Sequence, residues 1–128
     1  MKNNFFYKDK LTNIYERSSQ KSPISSQIVY GEEFKILAKN KDWLKIKILF
    51  DDYIGYIKDK NYTMNHKPSH KVSTLKANIF NRPNNKTKYY LPFASKISII
   101  QENKDFVEFE KNQWLRKKDL KKINHVER

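Results

Sequence analysis

The sequence predicts an all-β protein with two small β-barrels in tandem, and three observations predict it. Apolar and polar residues alternate with a period of two over short segments, as in half-buried strands. Polar turn sequences separate these segments, and no long segment has the 3.6-residue period of a helix. One pattern of segments also occurs twice along the 128 residues, which indicates two similar units.

The repeat appears when the two halves are aligned with an offset of 63 residues, from Ile28 to Leu91 (91 − 28). The turn Asn-Lys-Asp at 40–42 then meets the same tripeptide at 103–105. The other positions that coincide are Tyr30 with Phe93, Phe34 with Ile97, Ile36 with Ile99, and Trp43 with Phe106. A barrel suits units of about 60 residues, because it hides the edge strands that so small a sheet would expose.

The first unit, residues 1–62, begins with a polar segment whose aromatic residues Phe5, Phe6 and Tyr7 are expected to pad the domain. Strands are predicted at 11–17, 28–30, 34–37, 43–48 and 53–57, since these segments alternate or are rich in β-branched and aromatic residues. Pro23 and several serines predict a loop at 18–27. Polar turns are predicted at 39–42 and 51–52, and a single helical turn at 58–62.

The second unit, residues 72–123, follows a predicted linker at 63–71 that contains Pro68, two histidines and few apolar residues. Its strands are predicted in the same order, at 77–80, 89–93, 96–100, 106–109 and 113–115. A basic stretch begins at residue 116 and has room for one helical turn, and residues 124–128 are predicted to form a tail.

The chain has a formal net charge of +13, which is divided unevenly between its halves. Residues 1–64 hold 12 Lys and Arg against 8 Asp and Glu, whereas residues 65–128 hold 15 against 6, which gives +4 and +9. Such a charge suits an anionic partner. The abundance of Lys and Asn suits a biased composition equally well, as an AT-rich genome would encode, so both interpretations stay open.

Cysteine is absent, which excludes disulfides, thiolate metal sites and a cysteine nucleophile within these residues. The first ten residues contain three consecutive apolar residues, whereas a secretory signal needs about 7–15. No segment approaches the roughly 18 apolar residues of a membrane span. We therefore expect a cytoplasmic protein that has no membrane partner and no cofactor.

Three segments resemble the first SH3 module of the bacterial NlpC/P60 cysteine peptidases of the γ-D-glutamyl-L-diamino acid endopeptidase, or dipeptidyl-peptidase VI, type. They are Ser26-Gln-Ile-Val-Tyr-Gly-Glu-Glu-Phe34, Trp43-Leu-Lys-Ile46 and Asp52-Tyr-Ile-Gly-Tyr-Ile57. The linker and the start of the second unit resemble the same group through Pro68-Ser-His-Lys-Val72, Leu75, Ile79-Phe80 and Lys86. The resemblance covers roughly residues 11–123.

The resemblance implies two SH3-like β-barrels in tandem, which together form a bacterial SH3 (SH3b) region. In that family such modules precede a papain-like catalytic domain, border its cleft and help to select stem peptides with a free N-terminal L-Ala. It therefore implies a non-catalytic module that binds or positions peptidoglycan stem peptides for an NlpC/P60 cell-wall peptidase. The expected partners are a peptidoglycan-derived peptide and the catalytic domain in cis.

The family's catalytic Cys has no counterpart here, so we expect no catalytic residue in this chain. The chain is expected to be either the N-terminal part of such an enzyme or a free-standing relative. Together with the missing secretory signal, the resemblance suggests recycled wall peptides in the cytoplasm as the source of the ligand.

Five residues are candidates for a ligand-binding groove: Tyr15, Asp51, Asp52, Tyr53 and Tyr56. An exposed tyrosine offers an apolar ring and a hydrogen-bonding hydroxyl, and SH3 grooves use such residues to bind extended peptides. The two aspartates have the charge to hold a peptide amine, although turn formation explains them equally well. Tyr53 and Tyr56 point to opposite faces of one strand, so at most one of them belongs to the core.

Two further aromatic residues are judged by their register. Tyr30 shares the register of Ile28 and is predicted to lie in the core. Trp43 shares the register of Lys45 but begins its strand, so core and surface both stay open. No metal site is predicted at His66 and His70, because Pro68 lies between them and no third ligand is near.

Beside the peptidase-associated module, a second and a third function stay open. The +9 charge of the second half and the aromatic residues favour, as the alternative, a basic small-barrel nucleic-acid-binding protein whose affinity falls steeply with salt. The third is an adaptor for proline-rich segments, although the Ala-Leu-Tyr-Asp-Tyr signature of eukaryotic SH3 domains is missing.

Overall fold

The computed structural model describes residues 4–123, so the predicted tail at 124–128 lies outside the described residues. Within this range the chain forms fifteen β-strands and one three-residue 3₁₀ turn, which confirms the predicted all-β class. The chain divides into two compact units, Met1–His66 and Lys67–Arg128. The division falls inside the range 63–71 for which the sequence predicts a linker.

The first unit is one antiparallel sheet of seven strands in the order β3-β2-β6-β5-β4-β1-β7. Sharp polar turns join the strands, and Lys41 and Asp52 adopt positive φ angles in two of these turns. The strands are β1 (Asn4–Tyr7), β2 (Thr12–Tyr15), β3 (Ile24–Ile28), β4 (Glu33–Asn40), β5 (Trp43–Ile48), β6 (Ile54–Lys58) and β7 (Tyr62–Thr63).

Strand β5 shows why the sheet has one apolar and one polar face. Leu44, Ile46 and Ile48 are buried, whereas the side chains between them are partly exposed. Because successive side chains of a strand point to opposite faces, one face of β5 covers the core and the other faces solvent. The predicted bounds 43–48 are confirmed for this strand.

The core of the first unit is an apolar cluster to which β1 contributes; Phe5 and Tyr7 pack into this unit as predicted, but they do so from a strand that is not predicted from the sequence. Tyr7 is fully buried, and β1 pairs with both β4 and β7. Three aromatic residues in a row are enough to make a strand when neighbouring strands supply its hydrogen bonds. The cluster contains Tyr7, Ile14, Ile28, Phe34, Leu44, Ile46, Ile48 and Ile57.

Two further predictions for the first unit are wrong. The segment 18–27 is not all loop, because β3 begins at Ile24 directly after Pro23 and ends at Ile28, where 28–30 had been predicted as strand. The chain then turns at Gly31, whose φ of 80° favours glycine. The segment 58–62 forms no helical turn, since β6 ends at Lys58 and β7 begins at Tyr62.

The second unit has two antiparallel sheets, one of five strands in the order β10-β9-β14-β13-β12 and one of three in the order β11-β8-β15. The predicted helical turn after residue 116 is confirmed as a 3₁₀ turn at Lys117–Asp119. The strands are β8 (His70–Val72), β9 (Lys76–Arg82), β10 (Asn85–Pro92), β11 (Lys96–Ile97), β12 (Gln101–Glu102), β13 (Phe106–Glu110), β14 (Gln113–Arg116) and β15 (Leu120–Lys122).

Two strand bounds of the second unit differ from the prediction. β11 ends at Ile97, so the strand predicted at 96–100 is too long. β10 begins at Asn85, before the strand predicted at 89–93, because the hairpin turns tightly at Asn84 with a φ of 70°. Asparagine tolerates this left-handed conformation better than most residues do.

Candidate functional site

The candidate site lies where β2, β6 and β5 run side by side, on the sheet face opposite the core. Tyr15 of β2 pairs with Tyr56 of β6, and Tyr56 pairs with Lys45 of β5. Paired residues in antiparallel strands place their side chains on the same face. The neighbouring residues Ile14 and Leu44 are fully buried, so this row faces away from the core.

Trp43 joins this row from the start of β5. Its ring meets the ring of Tyr15 edge to face, with centroids 5.8 Å apart and an interplanar angle of 89°. Trp43 also pairs with Lys58 of β6, whose Nζ lies 5.3 Å from the centre of the indole. We call this surface, formed by Tyr15, Trp43, Lys45, Tyr56 and Lys58, the aromatic face; all five side chains are partly exposed.

The two lysines of the aromatic face differ in their partners. Lys58 Nζ lies 3.3 Å from Asp42 Oδ2, so a carboxylate already balances its charge. Lys45 forms no ion pair with any carboxylate among residues 4–123. A positive charge without a partner, flanked by tyrosine on the adjacent strand, is a place where an anionic group of a ligand can bind.

Apolar side chains extend the aromatic face at both ends of the same row. Ile24 of β3 pairs with Tyr15 and is 57% exposed, and Ala38 of β4 pairs with Lys45. The row therefore reads apolar, aromatic, aromatic, cationic, apolar across five strands. A ligand with an apolar part and one negative charge complements this order.

The second unit repeats the arrangement with its own residues. Phe80 of β9 pairs with Trp114 of β14, and Trp114 pairs with Glu108 of β13. The rings of Phe80 and Phe106 meet edge to face with centroids 5.0 Å apart, as Tyr15 and Trp43 do in the first unit. Arg116 pairs with Phe106 as Lys58 pairs with Trp43, although its guanidinium lies over the other ring, 5.9 Å from the centre of Phe80.

The arrangement in the second unit is closed by contacts within the protein. Phe80, Phe106 and Glu108 are each no more than 7% exposed. Glu108 occupies the position that Lys45 has in the first unit, and both of its carboxylate oxygens accept hydrogen bonds. The side-chain amide of Gln101 donates one over 2.8 Å, and the backbone N–H of Asn112 donates the other over 2.7 Å. The first unit therefore has the open version of the arrangement.

The structure brings together two of the five predicted site residues, Tyr15 and Tyr56. Asp51 and Asp52 lie in the exposed turn between β5 and β6. Tyr53 packs against the core cluster on the other face, as expected for one of the pair Tyr53 and Tyr56. Whether any of the five contacts a ligand stays a prediction.

Turn geometry accounts for the two aspartates. Asp51 Oδ1 accepts a hydrogen bond of 3.1 Å from the backbone N–H of Tyr53, which closes the turn. Asp52 has a φ of 59° and its carboxylate lies 3.6 Å from the Nζ of Lys47. Both carboxylates thus already have contacts within the protein.

The sequence reasoning missed Lys45 and Lys58, and left Trp43 undecided. For β5, the register of the strand identifies the residues of the outer face. Trp43, Lys45 and Lys47 alternate with the buried residues of this strand and therefore point away from the core. The structure places Trp43 on the outer face. The prediction of Tyr30 as a core residue is confirmed, since its side chain is buried.

The shifted pKa values belong to groups outside the aromatic face. Burial raises the pKa of Tyr7 to about 12, an effect that a hydrogen bond with Thr12 opposes and the nearby charge of Asp9 reinforces. Burial lowers the pKa of His70, and the positive charge of Lys122 lowers it further. Neither Tyr7 nor His70 belongs to the aromatic face. Their pKa shifts instead make the stability of the two units depend on pH.

Residues 4–123 contain neither a cluster of metal ligands nor a helix that could span a membrane. In this range no group of three or more His, Asp or Glu side chains converges in a way that would hold a metal ion. The same range has no helix of the length and apolarity needed to cross a bilayer.

Comparison with known proteins gives one match to a sequence family. Residues 14–61 match the family described as the bacterial dipeptidyl-peptidase SH3 domain. This range contains the whole aromatic face. A search of curated proteins found no match.

Two solved structures are similar to this chain. An NlpC/P60 family protein from Bacillus cereus has a TM-score of 0.72 at 14% identity, over 94% of this chain and 56% of that protein. NlpC2 from Trichomonas vaginalis has a TM-score of 0.41 at 14% identity, over 94% of this chain and 48% of that protein, which does not establish a shared fold. The chain thus spans about half the length of the solved proteins that it matches.

The two kinds of comparison agree with each other. The sequence match covers most of the first unit, and the shared fold with the Bacillus cereus protein covers nearly the whole chain. The predicted resemblance is thereby confirmed in sequence for residues 14–61, which match the bacterial dipeptidyl-peptidase SH3 domain, and in fold for 94% of the chain, which is similar to part of an NlpC/P60 family protein.

Proposed function

We propose that this chain is a non-catalytic tandem SH3 module that binds peptidoglycan stem peptides through the aromatic face of its first unit and positions them for an NlpC/P60 cell-wall peptidase. The observation that carries the proposal is Lys45, a cation without a carboxylate partner in the described chain, set beside Tyr56 and near Tyr15 and Trp43. The family match over residues 14–61 supports the same assignment.

The chemistry of a stem peptide complements this face. A γ-linked glutamate keeps its α-carboxylate, so the peptide has a negative charge in the middle of its backbone. The Lys45 ammonium can bind that carboxylate, and the Tyr56 hydroxyl on the adjacent strand can donate a hydrogen bond to the same group. The rings of Tyr15 and Trp43 offer apolar surface to the small side chains on either side.

The expected affinity is modest, because Lys45 is partly exposed. An exposed ion pair contributes about 0.2–1 kcal/mol, and each hydrogen bond of a peptide adds about 0.5–1.5 kcal/mol. Such a site selects the correct peptide without holding it for long, which suits a module that hands the peptide to a catalytic domain. In this proposal the catalytic domain lies in cis, which the fold shared with part of an NlpC/P60 family protein supports.

Because the corresponding arrangement in the second unit is closed, we expect the stem peptide to bind the first unit only. Glu108 would repel the α-carboxylate that Lys45 attracts, and its surroundings are buried. One stem peptide is therefore expected per chain, bound to the first unit. That the peptide comes from wall material recycled in the cytoplasm stays a prediction, which cell fractionation tests.

The test is an NMR titration of the chain with the tripeptide L-Ala-γ-D-Glu-diamino acid. We expect saturable shifts of the amides around Tyr15, Lys45 and Tyr56, with none around Phe80 and Trp114. Lys45→Gln weakens binding, whereas the control Lys104→Gln, which removes the same charge from the turn between β12 and β13, leaves binding unchanged. Equal binding by both variants, or shifts centred on the second unit, would refute the proposal.

A further inference from the structure

The hairpin of β9 and β10 in the second unit presents aromatic rings along a sheet edge. β10 is the terminal strand of its five-stranded sheet, so one side of it has no neighbouring strand within the described residues. Tyr89 and Tyr90 in β10 are 44% and 39% exposed, and Phe93 just beyond the strand is 55% exposed. Three exposed rings thus lie within five residues at this edge.

Lysine side chains accompany two of these rings. Lys76 Nζ lies 4.8 Å from the centre of the Tyr90 ring, and Lys88 Nζ lies 5.5 Å from the centre of the Tyr89 ring. A lysine ammonium sits at the end of a flexible four-carbon stem, so it can leave the ring and reach an anion nearby. We call Lys76, Lys88, Tyr89, Tyr90 and Phe93 the hairpin edge.

Basic residues dominate this part of the sequence. Residues 67–101 contain seven basic residues and no Asp or Glu. The acidic residues that follow have partners of their own: Glu102 pairs with Lys117 at 2.8 Å, and Asp119 pairs with Arg116 at 3.1 Å. The seven basic residues are Lys67, Lys71, Lys76, Arg82, Lys86, Lys88 and Lys96.

We infer that the hairpin edge binds single-stranded nucleic acid. Charge alone would suit any polyanion, and exposed rings alone would suit any flat apolar group. Lysines placed over exposed rings on one strand suit a polymer that alternates a phosphate with a planar base, because a base stacks on the ring while the displaced ammonium binds the phosphate. This inference does not depend on the stem-peptide proposal, which concerns the other unit and another anion.

The experiment measures binding of a fluorescent oligothymidylate to the full chain over a series of salt concentrations. We expect the logarithm of the association constant to fall linearly with the logarithm of the salt concentration. Lys88→Gln makes this slope shallower by about 0.7. Tyr90→Leu keeps the charge and weakens binding about fivefold or more, because it removes a stacking ring.

Two controls make the result decisive. Lys104→Gln removes the same charge at the opposite edge of the five-stranded sheet, and leaves both the affinity and the slope nearly unchanged. Inorganic polyphosphate, which has the charge but no bases, competes poorly per phosphate. The inference is overturned if polyphosphate competes as well as the oligonucleotide, if Tyr90→Leu binds like the unchanged protein, or if nothing binds at low salt.

Discussion

Gly55 in β6 allows a single substitution to test the packing beneath the aromatic face. A Cβ at this position would overlap Cγ2 of Ile14, and would lie 3.2 Å from the backbone oxygen of Tyr15 and 3.4 Å from Cε2 of Tyr53. Ile14 is fully buried in the core cluster, so it cannot move aside without displacing its neighbours. Gly55→Ala therefore forces β2 and β6 apart at the pair Tyr15 and Tyr56.

The magnitude follows from the cost of overfilling a close-packed core. Inserting one methyl group where no space exists costs about 1–3 kcal/mol of the free energy of unfolding. Urea denaturation measures this cost, and the two tryptophans allow the units to be followed separately. In a Trp114→Phe background, the fluorescence of Trp43 reports the first unit alone.

A double-mutant cycle identifies the cause. Ile14→Ala removes the methyl group that the new Cβ would meet, at its own cost of about 2–5 kcal/mol. In that background Gly55→Ala should cost much less, because the cavity accepts the added carbon and only the contact with the backbone oxygen of Tyr15 remains. Sucrose added equally to all variants keeps the doubly substituted unit folded. An equal cost of Gly55→Ala in both backgrounds would refute the reasoning.

The remaining predictions concern pH. The pKa of Tyr7 is raised from 10.0 to about 12, so between these values the folded first unit keeps a proton that the unfolded chain loses. The free energy of unfolding that Tyr7 contributes is therefore fully present below pH 10 and falls between pH 10 and about 12. Tyr7→Phe should flatten this fall in urea unfolding followed through Trp43, and an unchanged fall would contradict the assignment. The pKa of His70 is lowered from 6.5, so the unfolded chain takes up a proton first and the second unit loses stability as the pH drops below 6.5. Unfolding followed through Trp114 should show this loss, and His70→Asn should remove it; the same loss in both proteins would exclude His70 as its source.

The parts of the fold that could be predicted are those with a strict apolar period. β5 has Leu44, Ile46 and Ile48 in strict alternation, so its bounds and its two faces follow from the sequence. β1 could not be predicted in this way, because its hydrogen-bond partners are β4 and β7, which come much later in the chain. The sequence places β3 too late because Pro23 indicates a loop, although a proline directly before a strand is compatible with the strand.

The candidate site was predictable only in part, for a related reason. Tyr15 and Tyr56 are groove candidates by residue type, but their pairing depends on β2 lying next to β6, which local sequence does not specify. The sequence also does not show that the arrangement is open in the first unit and closed in the second. Glu108 looks like a solvent-facing residue in Phe106-Val107-Glu108-Phe109, and only the hydrogen bonds from Gln101 and Asn112 explain its burial.

The central claim is that Lys45 binds the α-carboxylate of a γ-linked glutamate, and a chemical double-mutant cycle tests it most directly. Calorimetry compares the unchanged protein and Lys45→Gln, each with the stem tripeptide and with the analogue whose α-carboxylate is an amide. If Lys45 binds this group, the amide lowers the affinity of the unchanged protein about 1.4- to fivefold through the lost ion pair, and lowers that of Lys45→Gln by less. An equal loss in both proteins would contradict the account, because the carboxylate would then be bound elsewhere.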